Sequence, residues 1–69
     1  MSQDATFLRM PAVEARTGLK RPTIYALAAI GKFPKPVKIG PRASAWVLVE
    51  IREWEAARIA QSRGEAHAA

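Results

Sequence analysis

Basic residues are concentrated in the middle of this chain of 69 residues, and they determine the chemistry that the chain offers. Between Glu14 and Glu50 there is no acidic residue, whereas seven lysines and arginines fall there. These are Arg16, Lys20, Arg21, Lys32, Lys35, Lys38 and Arg42. The rest of the chain has four arginines and six acids, so the net charge of +5 comes from the central segment. A segment of one sign predicts an anionic partner: nucleic acid, an acidic protein surface or an acidic membrane surface.

Residues suited to catalysis or metal binding are sparse. The chain has no cysteine, and its single histidine, His67, lies near the C-terminal end without paired acids at metal-ligand spacing. The serines have no histidine base nearby in the sequence, and the glycines form neither a phosphate-binding loop nor a dinucleotide-binding motif. We therefore expect that the protein is not an enzyme and has no catalytic residues, no metal site, no cofactor and no small-molecule ligand.

The length of the chain allows one domain with a thin core, because a domain of this size buries only about 60% of the surface of its unfolded chain. The longest uncharged apolar runs, residues 26–30 and 43–49, are far shorter than the roughly 18 residues that a membrane helix needs. We expect no membrane partner and a cytoplasmic, nucleoid-associated protein. The predicted organisation is a flexible N-terminus (1–6), one domain (7–63) and a disordered tail (64–69).

Two short helices are predicted in the first half of the domain, over residues 11–17 and 22–30. Each has a proline in its first turn, where the missing N–H costs no hydrogen bond, and each is followed by a glycine that can adopt the left-handed conformation. In the second helix Ile24, Leu27 and Ala28 share one face, which is expected to pack against the core. The opposite face is therefore expected in solvent.

A β-hairpin and a third helix complete the predicted fold. A segment with two prolines excludes helix before two strands at residues 37–39 and 44–47. The third helix extends from Leu48 to about Ser62. The predicted class is mainly α with a small β-hairpin, in the order α-α-β-β-α. The glycine-containing joint between the first two helices favours a winged helix-turn-helix, and an ordinary pair of packed helices is the alternative.

Both tryptophans, Trp46 and Trp54, are predicted to lie in the core, since a chain this small has few other large apolar side chains. Phe7 and Leu8 are expected to form the first apolar anchor of the domain. Stacking of Trp46 on a nucleic-acid base is the alternative for that residue.

The start of the second helix carries the side chains expected to contact DNA bases. A helix of nine residues is about 13 Å long, and a major groove about 12 Å wide admits it with its N-terminal turn against the base edges and its free N–H groups facing phosphate. Arg21 is the first candidate for base readout, because a guanidinium group can pair with O6 and N7 of guanine. Pro22 and Ala26 can contact thymine methyl groups. Thr23 contacts a phosphate or caps the helix, and Tyr25 contacts phosphate or base or is a half-buried helix residue.

The remaining cations are assigned to the DNA backbone. Lys20 and Arg16, close to the joint between the helices, are predicted phosphate contacts. Lys35, Lys38 and Arg42 lie where a wing would meet the flanking backbone or the minor groove. Arg42, at the tip of the hairpin, is the best placed of the three to insert into the minor groove.

The succession of these motifs resembles the AlpA-type regulators of phages and prophages. The resemblance rests on residues 7–11, 16–19, 20–27 and 31–40, and on Trp46 before residues 50–54. It covers about residues 7–63, and its most specific part is the run from Lys32 to Gly40. Members of that family are similar to excisionases and to the DNA-binding part of MerR regulators. The resemblance implies a winged helix-turn-helix that controls integrase or other mobile-element genes.

Three functions remain open from the sequence. The leading hypothesis is a sequence-specific, double-stranded DNA-binding transcriptional regulator of a phage, prophage or other mobile element. The nearest alternative is an excisionase, a recombination directionality factor that bends attachment-site DNA. The third is a protein-interaction adaptor, in which the basic face docks an acidic partner and Ile59 supplies an apolar anchor. Besides DNA, the partners considered are a second copy on an adjacent half-site, integrase and RNA polymerase.

Overall fold

The computed structural model describes residues 6–68 of the chain, with the side chains of residues 6–64. Over these residues the elements are β1 (Phe7–Leu8), α1 (Met10–Thr17), α2 (Arg21–Ala29), β2 (Val37–Gly40), β3 (Ala43–Val47) and α3 (Leu48–Ala68). The strands form an antiparallel sheet in the order β1-β3-β2. The predicted class, mainly helical with a β-hairpin, is confirmed, and the sheet contains one strand more than the sequence predicted.

The additional strand, β1, changes the predicted order α-α-β-β-α to β-α-α-β-β-α. Phe7 pairs with Val47 and Leu8 with Trp46, and the N–H of Leu48 donates to the carbonyl of Thr6 at 2.8 Å. Two residues are too few to show the alternating pattern of a strand, and their partner lies almost forty positions away in the sequence. This pairing therefore has no local signal. Phe7, the expected anchor, is 46% exposed.

The joint between α1 and α2 is closed by Gly18, whose φ of 77° lies in the left-handed region. Its N–H donates to the carbonyl of Glu14 at 2.8 Å. The hydroxyl of Thr17 donates to the carbonyl of Val13 at 2.8 Å and accepts the N–H of Leu19 at 3.2 Å. The predicted glycine stop is confirmed, and these bonds hold the short turn that leads into α2.

The core lies where the three helices meet the sheet. Its buried cluster consists of Val13, Ile24, Ala28, Phe33, Trp46 and Ile51. Leu27 and Trp54 are half-buried and pack against this cluster. Ile24, Leu27 and Ala28 therefore form the inner face of α2, as predicted. Trp46 is only 1% exposed, which confirms its place in the core and excludes stacking on a base.

The third helix is longer than predicted. It runs through Ala68, past the expected end near Ser62 and through most of the segment expected to be a disordered tail. The physical reason is composition: this segment is rich in alanine, the best helix former, and Gly64 costs about 1 kcal/mol without ending a helix by itself. Ile59, on the part of α3 beyond the core, is 51% exposed. Within residues 6–68, no helix is both long and apolar enough to cross a membrane. Of the expected flexible N-terminus, residues 1–5 lie outside the described part of the chain.

Candidate nucleic-acid interface

The outer face of α2 consists of small side chains. Ile24 and Ala28 are buried on the inner face, and helical periodicity places Pro22, Ala26 and Ala29 opposite them, where all three are exposed. Such a face can approach another surface closely because no long side chain stands in the way. These three side chains present apolar atoms, and Thr23, which is also exposed on α2, adjoins them with a hydroxyl group.

Arg21 and Tyr25 form the flank of α2 that faces the sheet. The guanidinium carbon of Arg21 lies 5.7 Å from the centre of the Tyr25 ring, a cation–π distance. The same ring is tilted by 51° against Trp46, with ring centres 6.0 Å apart. Tyr25 is nevertheless 41% exposed, so it is anchored on one side and accessible on the other.

Three arginines converge on a concavity beside this flank, which we call the arginine concavity. It has a volume of about 340 Å³ and is lined by Arg9, Arg21, Tyr25, Arg42, Ser44 and Trp46, among others. The starts of α1 and α2 and the hairpin turn place these three arginines around it. Sequence reasoning missed Arg9, which lies outside the central basic segment. Its one local signal was its place directly before the predicted first helix.

A second depression, of about 400 Å³, lies on the other side of Tyr25 and includes Ala29 and Lys35. The loop that carries Lys35 is held by the two tryptophans. The indole N–H of Trp46 donates to the carbonyl of Pro34 at 2.8 Å, and that of Trp54 donates to the carbonyl of Lys32 at 2.9 Å. Core aromatic residues thus position a basic loop next to the exposed face of α2.

The hairpin carries its two predicted cations as exposed side chains. Lys38 lies on β2 opposite Ser44, and Arg42 lies in the turn that joins Gly40 to Ala43. An irregularity in the pairing between Lys38 and Gly40 increases the local twist of the strand. Among the side chains of residues 6–64, neither Lys38 nor Arg42 takes part in an ion pair.

Arg16, which the sequence assigned to a phosphate, has a partner within the chain. Its Nε and one terminal nitrogen donate to the two carboxylate oxygens of Glu55 on α3, at 2.9 and 3.1 Å. A paired guanidinium has already exchanged its hydration for a carboxylate. Arg16 therefore connects α1 to α3, and the structure does not bring it into the arginine concavity. Lys20, the N-cap residue of α2, is exposed.

A carboxylate occupies the start of α2, where the sequence predicted free N–H groups facing phosphate. The N–H of Arg21 donates to Oε2 of Glu14 at 2.9 Å. Pro22 has no N–H, so neither of the first two residues of α2 can offer one to a phosphate. The negative charge of Glu14 also complements the helix dipole. Anion binding at the first two residues of α2 must therefore rely on side-chain cations.

Positive charge without neighbouring acids is concentrated on one part of the molecule. The exposed cations Arg21, Lys35, Lys38 and Arg42 lie on α2, the following loop and the hairpin. By contrast, α3 carries both signs, with glutamates and arginines interspersed. A basic face produced in this way attracts polyanions and orients them before contact. Residues 6–64 contain no cluster of three or more potential metal-binding side chains.

Comparison with known proteins gives one family and two relatives. The family model described as prophage CP4-57 regulatory protein (AlpA) matches residues 6–59. A protein of Enterobacteria phage P4, described as uncharacterised protein ORF88, is 46% identical over 54 residues, covering 78% of this chain and 61% of the phage protein. The DNA-binding transcriptional activator AlpA of Escherichia coli (strain K12) is 38% identical over 53 residues, covering 68% of this chain and 76% of the activator. The chain thus spans less than two thirds of the length of the phage relative.

Proposed function

The chain belongs to the family of the prophage CP4-57 regulatory protein (AlpA), and we propose that it is a sequence-specific double-stranded DNA-binding transcriptional regulator of a phage, prophage or other mobile element. The family assignment confirms the resemblance inferred from the sequence. The single observation that carries the proposal is the basic flank beside the exposed face of α2, where two depressions share Tyr25 and are lined by Arg21 and Arg42 in one and by Lys35 in the other. The relative from Escherichia coli is described as a DNA-binding transcriptional activator, which supports the same assignment.

The proposed complex is that of a winged helix-turn-helix. The nine residues of α2 span about 13 Å and enter a major groove about 12 Å wide. Arg21, at the start of α2, pairs with O6 and N7 of guanine, and Tyr25 contacts a phosphate or a base edge. The hairpin is the wing, with Lys38 and Arg42 at the flanking backbone or the minor groove.

Recognition by the outer face of α2 is proposed to depend on thymine methyl groups. Pro22 and Ala26 are exposed there and offer only apolar atoms. The chain has no asparagine, and its two glutamines, Gln3 and Gln61, lie outside α2, so the usual amide pairing with adenine has no candidate in the helix. Contact with the 5-methyl group of thymine is the base-specific interaction open to such a face.

Selection of bound duplexes from a random double-stranded pool at about 150 mM salt tests the proposal. We expect enrichment of a short motif that contains a guanine and neighbouring thymines, and weaker binding as salt is raised. Phosphate contacts from Lys20, Lys35, Lys38 and Arg42 would together contribute about −3.6 to the slope of log affinity against log salt, and each further contact would add about −0.9. Absence of binding to any duplex at low salt would overturn the proposal.

The apolar recognition face also favours a second candidate, an excisionase-like architectural protein. A face with few hydrogen-bonding groups depends more on DNA shape and deformability than on base edges. Binding without enrichment of a motif, together with bending of the bound duplex in a circular-permutation gel assay, would support this candidate. A motif bound without bending would favour the regulator.

Assembly on adjacent half-sites is proposed for either function, because one small module covers few base pairs. The expected protein is a monomer in solution that occupies tandem or inverted half-sites. Analytical ultracentrifugation with and without a duplex carrying two selected motifs tests this. A dimer in the absence of DNA would contradict it.

A further inference from the structure

We infer that the arginine concavity holds a backbone phosphate of the bound duplex and that Arg9, outside the central basic segment, is one of its ligands. This inference rests on the proposed function, because the phosphate belongs to the DNA on which α2 docks. It adds a residue that neither the sequence pattern nor the comparisons assign to the interface.

Arg9 occupies a position at which stability favours a different residue. It is the N-cap of α1, where serine, threonine, aspartate and asparagine are preferred because their side chains accept a helix N–H. The Arg9 side chain makes no capping hydrogen bond, and a cation next to a helix N-terminus is unfavourable for the helix dipole. The first turn of α1 contains no acid to offset it. Nothing in the folding of α1 therefore explains an arginine here.

The backbone of Arg9 is nevertheless held firmly. Its carbonyl accepts the N–H groups of Ala12 and Val13 at 3.0 and 3.1 Å, and the preceding residue, Leu8, is paired with Trp46 in the sheet. The base of the Arg9 side chain is thus anchored in the sheet and the first turn of α1, while the side chain is exposed. A guanidinium on an anchored backbone loses less freedom when it binds an anion.

The concavity presents three positive charges and no lining acid. Arg9, Arg21 and Arg42 reach it from three different elements, and Ser44 adds a hydroxyl group to its wall. Guanidinium groups pair in a fork with phosphate oxygens, so Arg9 and Arg42 can hold one phosphate between them, next to Arg21, whose charge favours an anion there while its guanidinium group contacts a base. Because Arg21 also borders the outer face of α2, an anion here lies at the edge of the groove that α2 would enter. A DNA phosphate is the anion expected in that place.

The first test compares Arg9→Ala with Arg52→Ala. Arg52 is an exposed arginine of α3 outside the concavity, so its substitution removes the same charge elsewhere. We expect Arg9→Ala to weaken binding to the selected duplex about tenfold and to make the salt slope shallower by up to about 0.9, with little change for Arg52→Ala. Equal effects of the two variants would overturn the inference, because they would reduce Arg9 to a contributor to net charge.

The second test locates the phosphate. Single phosphates of the duplex are replaced by neutral methylphosphonates, and each duplex is titrated with the wild type and with Arg9→Ala. At one position the replacement should weaken the wild type about tenfold but the variant less than twofold, and Arg42→Ala should show the same coupling there. Additive effects at every position would overturn the inference while leaving DNA binding by the wild type intact. Failure of the wild type to bind any duplex would instead overturn the proposed function and this inference with it.

A third variant separates binding from folding. Arg9→Ser introduces a preferred N-cap residue, so it should raise the melting temperature while weakening DNA binding about as much as Arg9→Ala. Opposite changes in the two measurements cannot come from misfolding. A variant that melts higher and binds as tightly as the wild type would overturn the role of Arg9.

Discussion

Substitution of Glu14 separates two effects of its carboxylate. The side chain accepts the N–H of Arg21 at 2.9 Å, which stabilises the first turn of α2. It also places a negative charge at the end of the helix that we propose enters the groove. Glu14→Gln keeps an oxygen acceptor but removes the charge, whereas Glu14→Ala removes both. Glu14→Ala should therefore lose more stability than Glu14→Gln, and Glu14→Gln should show how the charge alone affects DNA affinity.

The expected magnitudes are modest because the contact is exposed to water. Water can replace the acceptor of the Arg21 N–H, so Glu14→Ala should cost about 1 kcal/mol, like the loss of an N-cap. For a domain of this size that corresponds to a fall in Tm of about 5 °C. Glu14→Gln should cost about half as much. A DNA phosphate placed about 8 Å from the carboxylate would be repelled by about 0.5 kcal/mol in water, so Glu14→Gln should bind about twofold more tightly than the wild type.

Thermal unfolding followed by circular dichroism measures Tm, and fluorescence anisotropy of a labelled duplex at constant salt measures Kd. Glu53→Gln is the matched control, because Glu53 is exposed on α3 and its substitution makes the same change of charge. Glu53→Gln should leave Tm unchanged and should change Kd less than Glu14→Gln does. The reasoning is refuted if Glu14→Ala melts at the temperature of the wild type, or if Glu14→Gln binds DNA more weakly than the wild type.

Three further predictions follow from the joint, the ion pair and the outer face. Gly18→Ala should lower the free energy of unfolding by about 1 kcal/mol. The cause is the left-handed backbone alone, since no atom lies within 4 Å of an added Cβ. Gly64→Ala in α3 is the control and should not lower the free energy of unfolding, as denaturant titration of both variants can show. Arg16→Ala should reduce the free energy of unfolding by about 0.5 kcal/mol, because it breaks a partly exposed ion pair with Glu55. It should leave the salt slope of DNA binding unchanged. A shallower slope would show that Arg16 contacts a DNA phosphate. Replacing one thymine of the selected motif by deoxyuridine should weaken DNA binding about fourfold, which corresponds to about 0.8 kcal/mol for one buried methyl group. The same replacement at a thymine outside the motif is the control. Unchanged affinity at every position would refute the methyl contact to Ala26.

Local sequence signals predicted most of the elements and the face that each one buries. The glycine at position 18 ends α1 because the left-handed conformation costs glycine nothing, and that reason does not depend on the rest of the fold. The same holds for the inner face of α2, where the spacing of Ile24 and Ala28 places both on one side of any helix. The end of α3 was wrong, because one glycine among alanines is a weak stop signal.

The candidate site was predicted less completely, because its composition depends on distances between remote segments. Lysines and arginines of the central segment could be named from charge alone, yet Arg16 meets Glu55, which is 39 positions away. Arg9, which the charge pattern did not single out, lies beside Arg42 only because β1 pairs with β3. No periodicity within either segment reports that pairing.

Propensity, periodicity and charge are properties of neighbouring residues, so the short helices, the hairpin and the concentration of positive charge could be inferred from the sequence. Which cations are paired within the chain and which remain exposed depends instead on how distant segments pack. Packing places the carboxylate of Glu14 at the start of α2 and three arginines from three elements around one concavity. Ion pairs and binding surfaces depend on distances in space, which the packing of the core sets and which separation along the chain does not encode.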